Sequence, residues 1–233
     1  MSQCNKPVLQ VAVFSHETPD RPVAFLRLAG IIGHLQKQNR MQLHWRTPRD
    51  TGVDVEKLLD SDFFILHREF CERHIGSCVI AAAREMSKPV VFELDDLLTN
   101  VPRSNPYYER FAMIVPDILA MLREADFITV TTEPLRRCLE ETEPQAKGKI
   151  HVLPNFINLD TWDGAKPPLE KPQEPFVVGW FGTATHDEDL AIVKPAIVEL
   201  ARKYPGKIIF RFWGYLPENL KGIPGVELMR GLK

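Results

Sequence analysis

Two adjacent carboxylates, Asp95 and Asp96, end the apolar run Val90-Val91-Phe92-Glu93-Leu94. Paired acids in such a place can accept hydrogen bonds from the hydroxyl groups of a ligand or, with Mg²⁺, serve phosphoryl chemistry. Other groups able to do chemistry recur in the same setting, each after a short apolar run: His16-Glu17 with Arg21 close behind, His67-Arg68-Glu69, Thr131-Thr132-Glu133 and Pro154-Asn155. A further polar turn, Gly182-Thr183-Ala184-Thr185-His186, comes after a later run. Each also has a purely structural explanation. One Asp caps the next segment while the other is solvated; Glu133 and its threonines start a helix; His67 is a satisfied histidine beside a surface Arg; His16, Glu17 and Arg21 belong to a solvated loop; His186 caps a helix. Spacing alone leaves both explanations open.

The elements that must position these residues are set by periodicity. Residues 9–15 (LQVAVFS) have the apolar character of a strand buried on both faces, as do 62–66 (DFFIL), 90–94, 126–130 (DFITV) and 149–153 (KIHVL), with a shorter strand at 41–45. Between them lie helical stretches. Residues 23–38 place Phe25, Leu28, Ile31, Ile32 and Leu35 at helical spacing, with Pro22 suited to the first turn. Gly30 and Gly33 inside that helix predict a close approach there. Further helices are expected at 53–59, 74–86, 107–124 with a kink or restart at Pro116, and after Thr132, with Pro134 near the first turn. Strands alternating with helices predict a doubly wound α/β domain with a Rossmann-like parallel sheet over residues 1–157. Right-handed crossovers then bring all strand ends, and so the polar turns above, to one edge of that sheet.

Residues 158–175 change character: Pro167, Pro168, Pro172 and Pro175 stand among Lys and Glu, which predicts an interdomain connector. The pattern restarts at 176–233 with a strand (FVVGWF), the glycine turn, a helix over 187–204 and a strand at 207–213, with another at 226–229. This is the beginning of a second α/β domain rather than a whole one. Trp180, Phe212 and Trp213 are expected in its core.

Composition excludes several classes. Hydrophobic residues make up 44% and charged residues 26% of the 233, as in ordinary globular proteins. A net charge of -2 gives no electrostatic reason to expect nucleic acid. No apolar run reaches the roughly 18 residues of a membrane span. Peripheral attachment through one helix face stays open, with Tyr107, Tyr108, Phe111 and Met113 as one candidate face and core packing as its alternative. The four cysteines form no C-x-x-C pair and suit a reduced, cytoplasmic chain; the N-terminus lacks the charge and hydropathy order of a signal peptide.

Four segments, in their order, resemble the GT-B glycosyltransferases of the retaining family 4 (group 1) type: Val90-Val91-Phe92-Glu93-Leu94-Asp95-Asp96, Ala125-Asp126-Phe127-Ile128-Thr129-Val130-Thr131-Thr132, Lys149-Ile150-His151-Val152-Leu153-Pro154-Asn155 before the proline-rich stretch, and Val178-Gly179-Trp180-Phe181-Gly182-Thr183-Ala184-Thr185-His186. The resemblance implies an acceptor-side N-terminal domain facing a donor-side C-terminal domain across a cleft, no cofactor and no catalytic metal. It implies transfer from a nucleotide sugar to a hydroxyl of a carbohydrate, lipid-linked or protein acceptor. Asp95 and Asp96 would lie near the reaction centre. His16, Glu17, Arg21, His67, Arg68, Glu133 and Asn155 would line the acceptor side, and Gly182, Thr183 and His186 would meet the donor phosphates.

The chain departs from the family pattern in three places. Many members carry His-Asp where Asp95-Asp96 stands. Members usually continue the glycine turn with an Arg and a Lys, where this chain has Thr183-Ala184-Thr185-His186. The family's E-x7-E element falls beyond the residues present here. These departures keep a second expectation open, that the chain is a sugar- or partner-binding piece of a larger glycosyltransferase and needs a further C-terminal part or a partner chain for turnover. A Mg²⁺-dependent phosphotransfer domain is a third alternative, for which no P-loop and no D-x-D motif is present.

Overall fold

The computed structural model describes residues 7–47, 60–69, 75–157, 159 and 175–229. The chain forms two compact units, Met1–Asn100 with Phe111–Ala165, and Val101–Arg110 with Lys166–Lys233. The helix expected at 53–59 lies outside the described residues, as does almost all of the connector at 158–175.

The first unit is built on six parallel strands, β1 (Leu9–Phe14), β2 (Met41–Arg46), β3 (Phe63–His67), β4 (Val90–Leu94), β5 (Phe127–Val130) and β6 (Ile150–Val152), in the order β2-β1-β3-β4-β5-β6. The expected strands are all present. Strand direction never alternates, so every carboxyl end lies on one edge, and the order of winding reverses between β1 and β3. Period-two alternation divides the core. Ala12, Phe14, Phe64, Leu66, Val90, Phe92 and Leu94 face one side with α3 (Ile75–Glu85), α4 (Tyr108–Glu124) and α5 (Glu133–Thr142), represented there by Ile80, Leu122 and Leu139. Val11, Val13 and Ile65 face the other with Leu28 and Ile32. Each such fully buried side chain stabilises the fold by about 1.5–3 kcal/mol.

The helix after β1 is composite: α1 (Pro22–Ala24), a π-helical turn (Phe25–Ala29) and α2 (Gly30–Lys37). Pro22 occupies its first turn, where no N–H is needed. The close approach expected at the two glycines is found at Gly30, where a Cβ would stand 2.9 Å from Phe25 O, and not at Gly33. In α4 Pro116 lies inside one continuous helix, so the restart expected there does not occur. Along α4, Phe111 packs against the core while Met113 is exposed.

The second unit contains a three-stranded parallel sheet in the order β7 (Phe176–Phe181), β8 (Ile208–Trp213), β9 (Val226–Met229), with α6 (Asp187–Lys203) between β7 and β8. Leu190, Ile197 and Ala201 of α6 pack on Phe210 and Phe212, with Trp180 half-buried beside them. Phe212 is core as expected, whereas Trp213 is half-exposed and stacks on Phe181, ring centroids 4.4 Å apart. Phe176 and Phe181 are 57% and 65% exposed, although their run has the composition of an interior strand. Among the described residues one helix faces this sheet, which leaves the opposite side of β7 open.

Candidate functional site

A polar row crosses the carboxyl edge of the six-stranded sheet on the face covered by the composite helix. Register places it there. Val11, Val13 and Ser15 point to that face from β1 and its end; Ile65 and His67 do so from β3; Val91 and Glu93 do so from β4. Val13 pairs with Ile65, and His67 with Glu93, so Ser15, His67 and Glu93 stand side by side. Ser15 Oγ lies 2.8 Å from His67 Nδ1, across the point where the strand order reverses. His67 Nε2 lies 3.6 Å from Glu93 Oε2.

Arg27 comes down on this row from the π turn. Its Nε donates to Glu93 Oε1 at 2.7 Å, and its Nη1 donates to the carbonyl of Leu153 at 2.7 Å and to Asn155 Oδ1 at 3.0 Å. Arg27 and Glu93 are 1% and 0% exposed, so this is a buried ion pair that joins the helix, β4 and the exit of β6. Burial pushes the Glu93 carboxyl up to about 7 against the pull of Arg27. Burial, with Arg68 and Arg27 nearby, pushes the His67 imidazole down to about 3 and keeps it neutral.

Beside the row, at the rim, stands a second charged group. Arg68 comes directly after His67 with a φ of 52°, a left-handed conformation that non-glycine residues seldom adopt. Its N–H donates to the carbonyl of Glu93 at 2.8 Å, which holds the turn. Its guanidinium reaches Asp95 Oδ1 at 3.2 Å and Asp96 Oδ2 at 3.5 Å. Thr131 Oγ1 donates to the carbonyl of Asp95 at 2.9 Å and ties the acidic turn to the end of β5. Burial pushes the Asp95 carboxyl up to about 6, opposed by Arg68 and reinforced by Asp96. The side chain of Asp96 is 64% exposed. Among the described residues Arg68 Nε has no hydrogen-bond partner. In this cluster the Arg68 guanidinium can hold an anionic group, while the carboxylates of Asp95 and Asp96 can accept hydrogen bonds from hydroxyl groups and Asp95, with its raised carboxyl, can take up a proton.

The remaining sequence candidates divide. Glu17 is joined to the row: its N–H donates to Ser15 Oγ at 3.0 Å, and its carboxylate accepts the N–H of Ala24 at 3.3 Å at the start of the helix. His16 sits half-buried in the same turn. Arg21 is exposed at the N-cap of α1 and makes no side-chain cap bond. Asn155 is bound to Arg27. Glu133 turns along its own helix to Arg136, whose Nε donates at 2.9 Å, and to Arg137; Thr132 caps that helix by accepting the N–H of Leu135.

Gly182, Thr183 and His186 belong to the second unit. Gly182 N donates to the Trp213 carbonyl at 3.1 Å. A Cβ at Gly214, which has a φ of 91°, would come 2.3 Å from Gly182 O, so the turn is closed by glycines at both points. Thr183 and Thr185 hydroxyls bond each other at 2.6 Å, and His186 Nδ1 is 2.9 Å from Asp189 Oδ2. Asp187, Glu188 and Asp189 fill the first turn of α6 and already complement the positive end of its dipole.

Sequence reasoning passed over Arg27 and Glu93 and did not single out Ser15. The signal was present. Glu93 interrupts an apolar run, and Arg27 lies among apolar residues at helical spacing; a charge in either place needs a partner. Among the described residues no group of three or more His, Cys, Asp or Glu is arranged to hold a metal ion, and no helix is long and apolar enough to cross a membrane.

No protein-family profile matches the chain, and no curated protein matches it in sequence. Solved structures do match in fold. The S. aureus MnaA–UDP co-structure aligns with a TM-score of 0.53 at 14% identity, over 97% of this chain and 69% of its own. The UDP-GlcNAc 2-epimerase from Neisseria meningitidis, bound to UDP-GlcNAc, aligns with a TM-score of 0.46 at 14% identity, over 96% of this chain and 72% of its own. The chain therefore has a Rossmann-like α/β fold of the GT-B kind, with a six-stranded parallel sheet and a second, smaller one.

Proposed function

We propose that the chain acts on nucleotide sugars, and that the acidic turn at Asp95-Asp96 with Arg68 is the sugar- or acceptor-facing part of its site. The observation that carries this reading is the Arg68–Asp95–Asp96 cluster, built at the carboxyl edge of a doubly wound sheet next to the reversal of strand order, where such folds take their ligands. The fold shared with a UDP co-structure supports the ligand class. In its finer form the proposal is retaining, metal-independent transfer of the family 4 type, from the nucleotide sugar to a hydroxyl acceptor. The first unit is the acceptor side and the second the donor side. Asp95 accepts a hydroxyl of sugar or acceptor, and Arg68 supplies fixed positive charge. Within the second unit, the turn at Gly182, Thr183 and His186 is the candidate for the donor phosphates.

The acidic first turn of α6 favours a second reading, a sugar- or partner-binding piece of a larger glycosyltransferase that does not turn over by itself. Calorimetric titration with UDP-N-acetylglucosamine and UDP-glucose, without metal, tests the shared core of both. Binding at or below millimolar concentration is expected. No heat with either sugar nucleotide, nor with GDP-mannose, at that concentration would contradict it.

A further inference from the structure

Ser15, His67 and Glu93 form a buried polar row with two possible hydrogen-bond directions. Ser15 Oγ accepts the N–H of Glu17 at 3.0 Å, which leaves its one proton for another partner. His67 Nδ1, at 2.8 Å, is that partner. On the other side of the ring, His67 Nε2 and Glu93 Oε2 face each other at 3.6 Å, and neither has a hydrogen-bond partner among the described residues. The other Glu93 oxygen is held by Arg27 at 2.7 Å. Ser15, His67, Glu93 and Arg27 are all buried.

We propose that this row is a proton-coupled switch, in which proton uptake converts His67 from its Nε2–H to its Nδ1–H tautomer and reverses the Ser15–His67 hydrogen bond. With Glu93 ionised, Nε2–H faces its carboxylate and Nδ1 accepts the Ser15 hydroxyl proton. A solvent proton admitted to Ser15 Oγ by opening of the half-buried His16–Glu17 turn above it releases the original hydroxyl proton to Nδ1. The Nε2 proton passes to Glu93 Oε2 as the two atoms close. Ser15 keeps one proton, His67 stays neutral, and Glu93 becomes a carboxylic acid that donates back to Nε2. The net change is one proton gained by the cluster.

The charges around the row decide where that proton rests. Glu93 is faced by Arg27 from the composite helix, by His67 and Arg68 from β3 and the turn after it, and by Asp95 from its own turn. His67 is faced by Arg68 and Arg27, and a third buried cation between two guanidinium groups is disfavoured. Burial acts in the same sense, holding the imidazole neutral and raising the carboxyl. The consequence reaches the ligand edge, because Ser15 also holds the Glu17 turn. The switch does not depend on nucleotide-sugar binding.

Long-range ¹H–¹⁵N correlation spectra of the imidazoles, recorded on the ¹⁵N-labelled chain of 233 residues from about pH 5.5 to 8.5, read the tautomer directly. Loss of one signal in His67→Gln assigns His67 among the seven histidines. The expected result is a neutral His67 throughout, Nε2–H at the alkaline end and Nδ1–H at the acid end, in one proton step. Glu93→Gln, whose amide donates to Nε2 at every pH, should lock the Nδ1–H form. An imidazolium within that range, or one unchanging tautomer in the wild-type chain, overturns the proposal. The wild-type titration decides by itself if Glu93→Gln does not fold.

Discussion

Arg68 reaches Asp95 Oδ1 at 3.2 Å from a left-handed backbone, with φ at 52°. The turn is thus held against the preference of its own residue type, at a cost of about 1–2 kcal/mol. The anchors that hold it are the Arg68 N–H on the Glu93 carbonyl and the Thr131 hydroxyl on the Asp95 carbonyl.

Two substitutions at Arg68 separate backbone from side chain. Arg68→Gly and Arg68→Ala both remove the guanidinium, but only glycine is at ease at this φ. Arg68→Gly should be more stable than Arg68→Ala by about 1 kcal/mol in urea unfolding, while both lose sugar-nucleotide binding to the same degree. Equal stability of the two variants would show that the turn is not strained.

Arg27 and Glu93 form a buried pair, and removal of one member strands the other. Arg27→Met should destabilise the chain by about 3–5 kcal/mol at pH 8, where the ion-paired carboxylate of the wild-type chain must either stay buried without its partner or take up a proton. The cost should shrink at pH 5, because the stranded carboxyl then takes a proton. Adding Glu93→Leu to Arg27→Met should recover most of the loss. A single-variant cost below about 1 kcal/mol at pH 8 would mean that the pair contributes little to the fold.

The raised Glu93 carboxyl gives stability a definite pH slope. The unfolded chain releases this proton near 4.5, whereas the folded chain keeps it until about 7. The folded state binds more protons between those values, so the contribution is full below 4.5 and is lost as pH rises through 7. Asp95 acts in the same sense between 3.8 and about 6. His67 acts in the opposite sense: its contribution is full above 6.5 and is lost as pH falls towards 3. Glu93→Gln should flatten the unfolding free energy between pH 4.5 and 7 by on the order of 3 kcal/mol. An unaltered slope in that variant would mean that Glu93 does not titrate there.

Much of the fold was legible because it rests on period and composition. β1 and β3 to β5 are apolar runs that end in polar residues, and their alternation with helices dictates the parallel sheet. The strand ends likewise brought His67, Arg68, Asp95 and Asp96 to one edge. Arg27 was not legible in the same way. It comes from a helix rather than a strand end, and a π turn sets its direction, which no simple 3.6-residue pattern encodes. Glu133 looked like its strand-end neighbours, yet arginines three and four residues on in its own helix engage it. Such local pairs compete with any role at the edge. The exposed β7 was hidden for another reason: an apolar run favours burial but does not specify which element provides it.

The most direct test of the central claim is residue-resolved mapping of the ligand. Backbone ¹H–¹⁵N spectra of the chain, titrated with UDP-N-acetylglucosamine in the absence of metal, should shift first and most at Ser15 to Glu17, His67 to Glu69, Asp95, Asp96 and Thr131. The same shifts should vanish in Arg68→Ala. Shifts confined to other surfaces, or none at millimolar ligand, would contradict a nucleotide-sugar site at the Arg68–Asp95 edge.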